Sequence, residues 1–198
     1  MSWLQGGPFL DVSLIIEEIN IKKLIQMITS VNCVTIYDEN IEYKTTNFEV
    51  GYIYDDQDEN TRKIHTLDLN LIVNVQGTRK SILHIERIAE KTVLIDFWFF
   101  GSEFDAPEWE QQGIRDEDYH YFLDFLSLLL EELKGIVGSV AIEDDVTVLI
   151  SQDHVRPNKV FSFAQINPMK IVERGNQFKY IGVGVRFNDD IQITNFCK

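Results

Sequence analysis

The sequence predicts an α+β fold: an antiparallel, meander-type sheet of six or more strands, with one long amphipathic helix packed on a face and a shorter N-terminal helix. Three observations carry this expectation. Residues 64–76 alternate apolar and polar side chains, the period of a strand with one wet face. Residues 77–101 continue through tight turns into two more strand-like runs with no helix between them, which argues against a doubly wound parallel sheet. Residues 116–134 then carry Tyr119, Phe122, Leu123, Leu126, Leu129, Leu130 and Leu133 at spacings of three and four, with Phe125 and Leu128 widening the stripe.

Taken in order, residues 19–31 place Ile21, Leu24, Ile25 and Ile28 at helical spacing with Lys22, Lys23 and Gln26 between them, and predict the shorter helix. Residues 33–37 and 41–44 flank the turn formers Asp38, Glu39 and Asn40 and read as two strands, with residues 48–54 as a third. Residues 55–61 contain no apolar side chain and predict a solvated loop. In residues 64–76, His65, Leu67, Leu69, Leu71, Val73 and Val75 face one way, and Asp68, Asn70, Asn74 and Gln76 the other. A turn at residues 77–80 leads into a strand over 81–88, and another turn into 92–101. There Val93, Ile95, Phe97 and Phe99 share one face, and Leu94, Asp96, Trp98 and Phe100 share the other; both faces are expected to be covered.

The long helix is expected to start at Asp116 as N-cap, with Glu117 and Asp118 in the first turn favoured by the helix dipole, and to stop at Gly135. Residues 136–142 read as a strand interrupted by Gly138, and residues 143–145 as an acidic turn. Residues 146–150 and 160–163 are ambiguous between strand and short helix. Residues 178–187 put Ile181, Val183, Val185 and Phe187 on one strand face, and residues 188–190 turn toward a last strand over 191–196. No linker or internal repeat divides the chain, so a single domain over residues 1–198 is expected.

Composition narrows the function classes. With 44% hydrophobic and 12% aromatic residues, 198 residues suffice for a substantial core. The 32 acidic and 18 basic side chains leave a net charge of −14. Such a field repels phosphate backbones and anionic lipid and attracts basic protein, so neither nucleic acid nor membrane is an expected partner. Cys33 and Cys197 form no paired or metal-binding motif. No basic leader or membrane-length apolar run occurs, and a cytoplasmic protein is expected. Abundant Ile and scarce Ala fit an AT-rich bacterial genome.

No motif announces a catalytic centre or a cofactor, and none is expected. Glu117 and His120 make an E-x-x-H step with Asp124 and Glu131 on the same stripe, but a di-iron centre needs a second copy on an inward face. His65, His84, His120 and His154 fall on different elements with no ligand spacing. There is no nucleophile elbow, and Cys33 reads as a small hydrophobe. Gly182 and Gly184 lack the strand-turn-helix context of a dinucleotide site; strand glycines instead admit a bulky neighbour or mark a bulge.

Two candidate sites are left. The loop over residues 101–113 sets Phe104 and Trp109 among Glu103, Asp105, Glu108 and Glu110, as a surface for a basic protein partner requires: rings supply desolvated area, acids steer approach. The alternative fate of these rings is to fold back as a cap on the sheet. The acidic clusters at 55–59 and 143–145 extend the same surface. In charge and size, though in no motif, this is similar to the small acidic nuclease inhibitors called immunity proteins. The reading that results is a non-enzymatic binding protein. The alternative is an enzyme or small-ligand binder with a pocket over the sheet near Asp96 and Trp98. A covered Asp96 is desolvated, which raises a carboxyl pKa unless cations or N–H donors hold the charge. The plainer role for Asp96 is a structural hydrogen bond to the Trp98 indole or a neighbouring strand.

Overall fold

The computed structural model describes residues 3–4, 7–18, 20–49, 66–89, 91–101, 113–150, 167–187 and 189–197. Among these residues eight strands form one sheet, all neighbours antiparallel: β1 (Phe9–Ile16), β2 (Val34–Ile36), β3 (Thr66–Asn74), β4 (Thr78–Ala89), β5 (Thr92–Phe100), β6 (Val137–Ile142), β7 (Gly182–Phe187) and β8 (Asp190–Asn195). Their spatial order is β2-β3-β4-β5-β1-β6-β7-β8. The sheet is therefore not a plain meander: the N-terminal strand is inserted in its middle, between β5 and β6. Strand β1 was not among the elements expected from the sequence, the first of which was placed at residue 19, although Leu10, Val12, Leu14 and Ile16 alternate with Phe9, Asp11, Ser13 and Ile15.

Helices α1 (Ile21–Ser30), α2 (Ile41–Glu49) and α3 (Tyr119–Glu132, preceded by a 3-10 turn over Asp116–Asp118) are larger than the four-residue α4 (Thr147–Ile150), and α5 (Pro168–Gln177) follows. The start of α1 is set by Asn20, whose side chain accepts the Lys23 N–H. Residues 41–44 are the first turn of α2 and not a strand, which corrects the expectation for them and for Phe48. Ile41, Thr45 and Phe48, spaced by four and three, turn inward, and this stripe outweighs local β-propensity. Asp38 prepares the entry by accepting the Asn40 N–H at 3.0 Å and the Lys44 ammonium at 2.7 Å. Residues 50–54, 55–61 and 160–163 lie outside the described residues. Helix α5 was unforeseen, yet Asn167 caps it by accepting the Met169 N–H, and Pro168 occupies the first turn.

The ends of α3 also differ from expectation. Asp116 does not cap; the buried Asp118 instead faces Arg79 at 3.8 Å and Arg115 at 3.7 Å. At the C-terminus Lys134, with φ 57°, takes the left-handed position, and the Gly135 N–H bonds the Leu130 carbonyl at 3.0 Å, a Schellman arrangement. A Cβ on Gly135 would stand 2.7 Å from Leu130 Cδ2 and 2.9 Å from Leu14 Cδ1, so any larger residue there would have to displace these leucine methyls.

One face of the sheet carries the main core. Leu67, Leu69, Leu71 and Val73 of β3, Leu83 and Ile85 of β4, and Phe97 and Phe99 of β5 pack with the apolar stripes of α1 and α3. Phe97 meets Phe125 edge-on at 5.3 Å and Phe99 meets Phe122 at 5.1 Å. Toward β6 and β7 the sheet surface is cut down by glycine. A Cβ on Gly138 would lie 2.6 Å from Leu126 Cδ1 and 2.7 Å from the Ser13 carbonyl, and one on Gly182 would lie 2.3 Å from Leu123 Cδ2. The strand glycines thus admit leucines of α3. On the opposite face Ile15, Leu94, Val137, Ala141, Val183 and Val185 meet Leu149 of α4, Ile171 of α5 and Tyr180. The expected single face of residues 181–187 is divided: Ile181 packs with the main core, and Phe187 at the strand end is 55% exposed. Among the described residues no helix is long and apolar enough to cross a membrane.

Because the Gly138 clash includes a backbone oxygen, Gly138→Ala is expected to lower stability by about 1–3 kcal/mol, the usual cost of overpacking. Urea denaturation checks this; an unchanged midpoint would mean that α3 does not sit on the β6 backbone.

Candidate functional site

Insertion of β1 sets the site. Its register pairs Asp11 with Trp98 of β5 and with Ala141 of β6, and Ser13 with Asp96 and with Ser139. The outward face at this point therefore brings together Phe9, Asp11, Asp96 and Trp98. Asp11 is 5% exposed and Asp96 4%. The acidic turn after β6 folds over them and is held at several points. The Glu143 N–H bonds the Phe9 carbonyl at 3.0 Å and the Val146 N–H bonds Ser13 Oγ at 2.8 Å. Asp145 accepts the Thr147 N–H at 2.7 Å, while its carbonyl accepts the Tyr180 hydroxyl at 2.8 Å. Ser13 Oγ also meets Ser139 Oγ at 3.0 Å, so this buried hydroxyl is engaged in holding the turn and the neighbouring strand.

Between the turn and the sheet lies a cavity of about 290 Å3, wide open to solvent and lined by Phe9, Asp11, Asp96, Trp98, Glu143, Asp144 and Asp145. Five of these seven side chains are carboxylic acids, and no described basic side chain is among them. The other two make an aromatic wall, Phe9 and Trp98 stacking at 6.3 Å with planes 25° apart. Trp98 is fixed from two sides: its indole N–H donates to Asp96 Oδ2 at 2.7 Å, and His84 of β4 stacks on it at 4.9 Å. The structural hydrogen bond anticipated for Asp96 is thus present, and the same carboxylate faces a cavity.

The electrostatics follow from crowding of like charge. Burial, then the charges of Asp96, Asp145 and Asp144, push the Asp11 carboxyl up to about 9. Among the described residues the contact that favours its ionised form is a backbone N–H from Asp144. Asp144 is itself raised, by burial and then by Asp145 and Glu143. The Tyr180 phenol is raised by burial and then by Asp144, Asp145 and Asp11. At the back of Trp98, burial works against charge on His84. Its hydrogen bond to Asp68 at 2.6 Å and the nearby Glu86 at 3.8 Å outweigh this and push it to about 9. A protonated imidazole then lies flat on the indole.

Of the residues singled out in the sequence, Asp96 and Trp98 line the cavity, and the 143–145 turn, read only as a charged surface, forms its lid. Glu103, Phe104, Asp105, Glu108, Trp109 and Glu110 lie outside the described residues, as do residues 55–59, His65 and His154. Glu117 pairs with Arg115 at 3.1 Å and His120 packs on Tyr121, so the E-x-x-H step has local partners. Among the described residues no group of three or more His, Cys, Asp or Glu side chains is arranged to hold a metal. Asp11 was missed because β1 was missed; its signal was a carboxylate at mid-period in an otherwise strand-like run. The Asp68–His84 pair was missed although the hairpin turning at Gln76 and Gly77, with φ 46° and 103°, sets them opposite each other.

No protein-family model, curated protein or solved structure matches this chain. Function is therefore argued from its own residues.

Two pH responses follow. Asp11 keeps its proton in the folded chain up to about 9 but loses it near 3.8 when unfolded, so the folded state binds the extra proton between these values. Stability falls as pH rises across that window, and Asp11→Asn is expected to flatten the fall; urea midpoints from pH 4 to 9 test this. His84 acts in the same direction over a narrower range: its contribution is complete below 6.5 and lost as pH rises through about 9. Asp68→Asn is expected to lower the imidazole pKa in an NMR titration, and an unmoved value would exclude the Asp68 hydrogen bond as its cause.

Proposed function

We propose that this is a binding protein whose acid and aromatic cavity receives a cationic group, an ammonium or a guanidinium. The observation that carries the reading is the lining itself: five carboxyls, no described base, and a ring wall of Phe9 and Trp98. A cation entering it gains charge-assisted hydrogen bonds from the carboxylates and a favourable approach to two ring faces. The volume is at the small end of ligand pockets, which span roughly 300–1,000 Å3. It suits the head of one side chain or a small organic cation.

This reading takes up the pocket alternative and keeps the basic partner. An Arg or Lys presented by a basic protein has the same head group as a free alkylguanidinium or amine, and the net charge of −14 favours approach of either. The acidic side chains Glu103, Asp105, Glu108 and Glu110 would add to the charge that favours a basic partner. The proposed setting is the cytoplasm.

The test uses propylguanidinium, its neutral counterpart propylurea, and an arginine-containing peptide, each titrated into 15N-labelled protein. Propylguanidinium is expected to perturb Phe9, Asp11, Trp98 and Asp145, more weakly at high salt, and propylurea is expected not to. Asp96→Asn is expected to weaken it about tenfold, in line with loss of a charge-assisted bond worth about 1.5 kcal/mol or more. Tighter binding of the peptide than of the free cation would point to a protein partner. Equal response to propylurea, or none at these residues, would refute the reading.

A further inference from the structure

We infer that the cavity exchanges a proton for its cation: Asp11 carries a proton while the cavity is empty and releases it to water when a cationic group enters. This rests on the cation-binding reading above and specifies how the site is regulated. The balance is simple. The Asp11 carboxyl gives up one proton, the incoming ammonium or guanidinium keeps all of its own, and the product is an ion pair with one proton freed to solvent.

The geometry requires such an exchange because Asp11 has nowhere to move. It lies on a strand paired on both sides, 5% exposed, with its carboxyl toward the cavity. Among the described residues, the charges that face it have the same sign. Asp96 approaches from β5, and Asp144 and Asp145 from the turn after β6, with Glu143 lining the same cavity. From the approach to β7 comes the Tyr180 phenol, whose hydroxyl is bound to the Asp145 carbonyl. Two described cations of this region are engaged by other groups: His84 lies behind Trp98, held by Asp68 and Glu86, and Arg174 of α5 donates to the Val148 carbonyl. Retaining a proton is how a buried carboxyl in such company avoids an unpaired charge, and the same burial and neighbouring acids raise the Asp11 carboxyl. A guest cation supplies the missing counter-charge, so the ionised form becomes the favoured one.

The consequence is a site whose affinity rises with pH. Binding that releases one proton strengthens about tenfold per pH unit while Asp11 is protonated in the empty protein. Calorimetry of propylguanidinium binding at pH 7, in phosphate and in the zwitterionic buffer HEPES, reads the released proton as a difference in heat between buffers. A difference equal to about one proton, and its loss in Asp11→Asn together with a flattened pH dependence, is the expected result. The 13C shift of the Asp11 carboxyl in the empty protein provides the second measurement. Titration of that carbon in the ordinary carboxylate range, or equal heats in the two buffers with binding intact, would overturn the exchange and leave the cation site standing. Absence of binding at pH 8, where displacement is easiest, would remove both.

Discussion

Strand β1 is the constraint on which the rest of the structure depends. It is paired along its length with β5 on one side and with β6 on the other, and within the sheet it is the strand through which β2-β3-β4-β5 meets β6-β7-β8. With backbone hydrogen bonds on both edges and packed layers over both faces, it can neither slide nor tilt, because a slip of one residue would exchange Leu10, Val12 and Leu14 with Phe9, Asp11 and Ser13. That rigidity explains how a carboxyl comes to be held among other carboxyls. The main-chain bonds and the apolar inner face fix Asp11 in place, and its immediate electrostatic surroundings do not determine the position.

The two faces of the sheet are filled by different means. On one side long leucines of α3 drop onto Gly138, Gly182 and Gly184, so helix and sheet approach closely over β6 and β7. On the other, the short α4 and α5 cover β6, β7 and part of β1 with Leu149, Ile171 and Tyr180. The acidic turn that leads into α4 is consequently pinned above Phe9 and Asp11 by bonds to Ser13 and Tyr180. A space results where the apolar cover ends and the turn begins. Trp98 forms one wall of it, set by Asp96 on one edge and by the His84 ring on its face.

The part of the fold legible in the sequence was the part with a clean period. The alternation in β3, the doubly covered β5 and the stripe of α3 each follow from one repeating pattern, and each was placed within a few residues. Residues 41–44 and 48–49 were misread because Ile41 and Tyr43 suggest a strand locally, whereas the helix is held by packing against α1 and β3 and by Arg87 of β4 over the Phe48 ring, partners that no local pattern announces. β1 was passed over behind Gly7 and Pro8 even though its alternation is regular; nothing local announces that a strand so near the N-terminus belongs in the middle of a sheet. The site was half legible for the same reason. Asp96 and Trp98 belong to a recognisable strand, but the like charges that give Asp96 its setting arrive from β1 and from the 143–145 turn, and only the strand order puts them together.

The position of β1 also bears on how the chain can be made. As the protein emerges from a ribosome, its first strand has no partner until residues 93–100 appear, and no second partner until residues 137–142 do. Until then Leu10, Val12, Leu14 and Ile16 belong to an apolar segment with free backbone groups, and the hairpins of β3, β4 and β5 present an open edge where it will later dock. Pairings of such long sequence separation cost loop entropy before they return any contact energy, so assembly is slow relative to a helical protein of this size. The interval in which that edge is bare is the one in which another chain's strand can take its place.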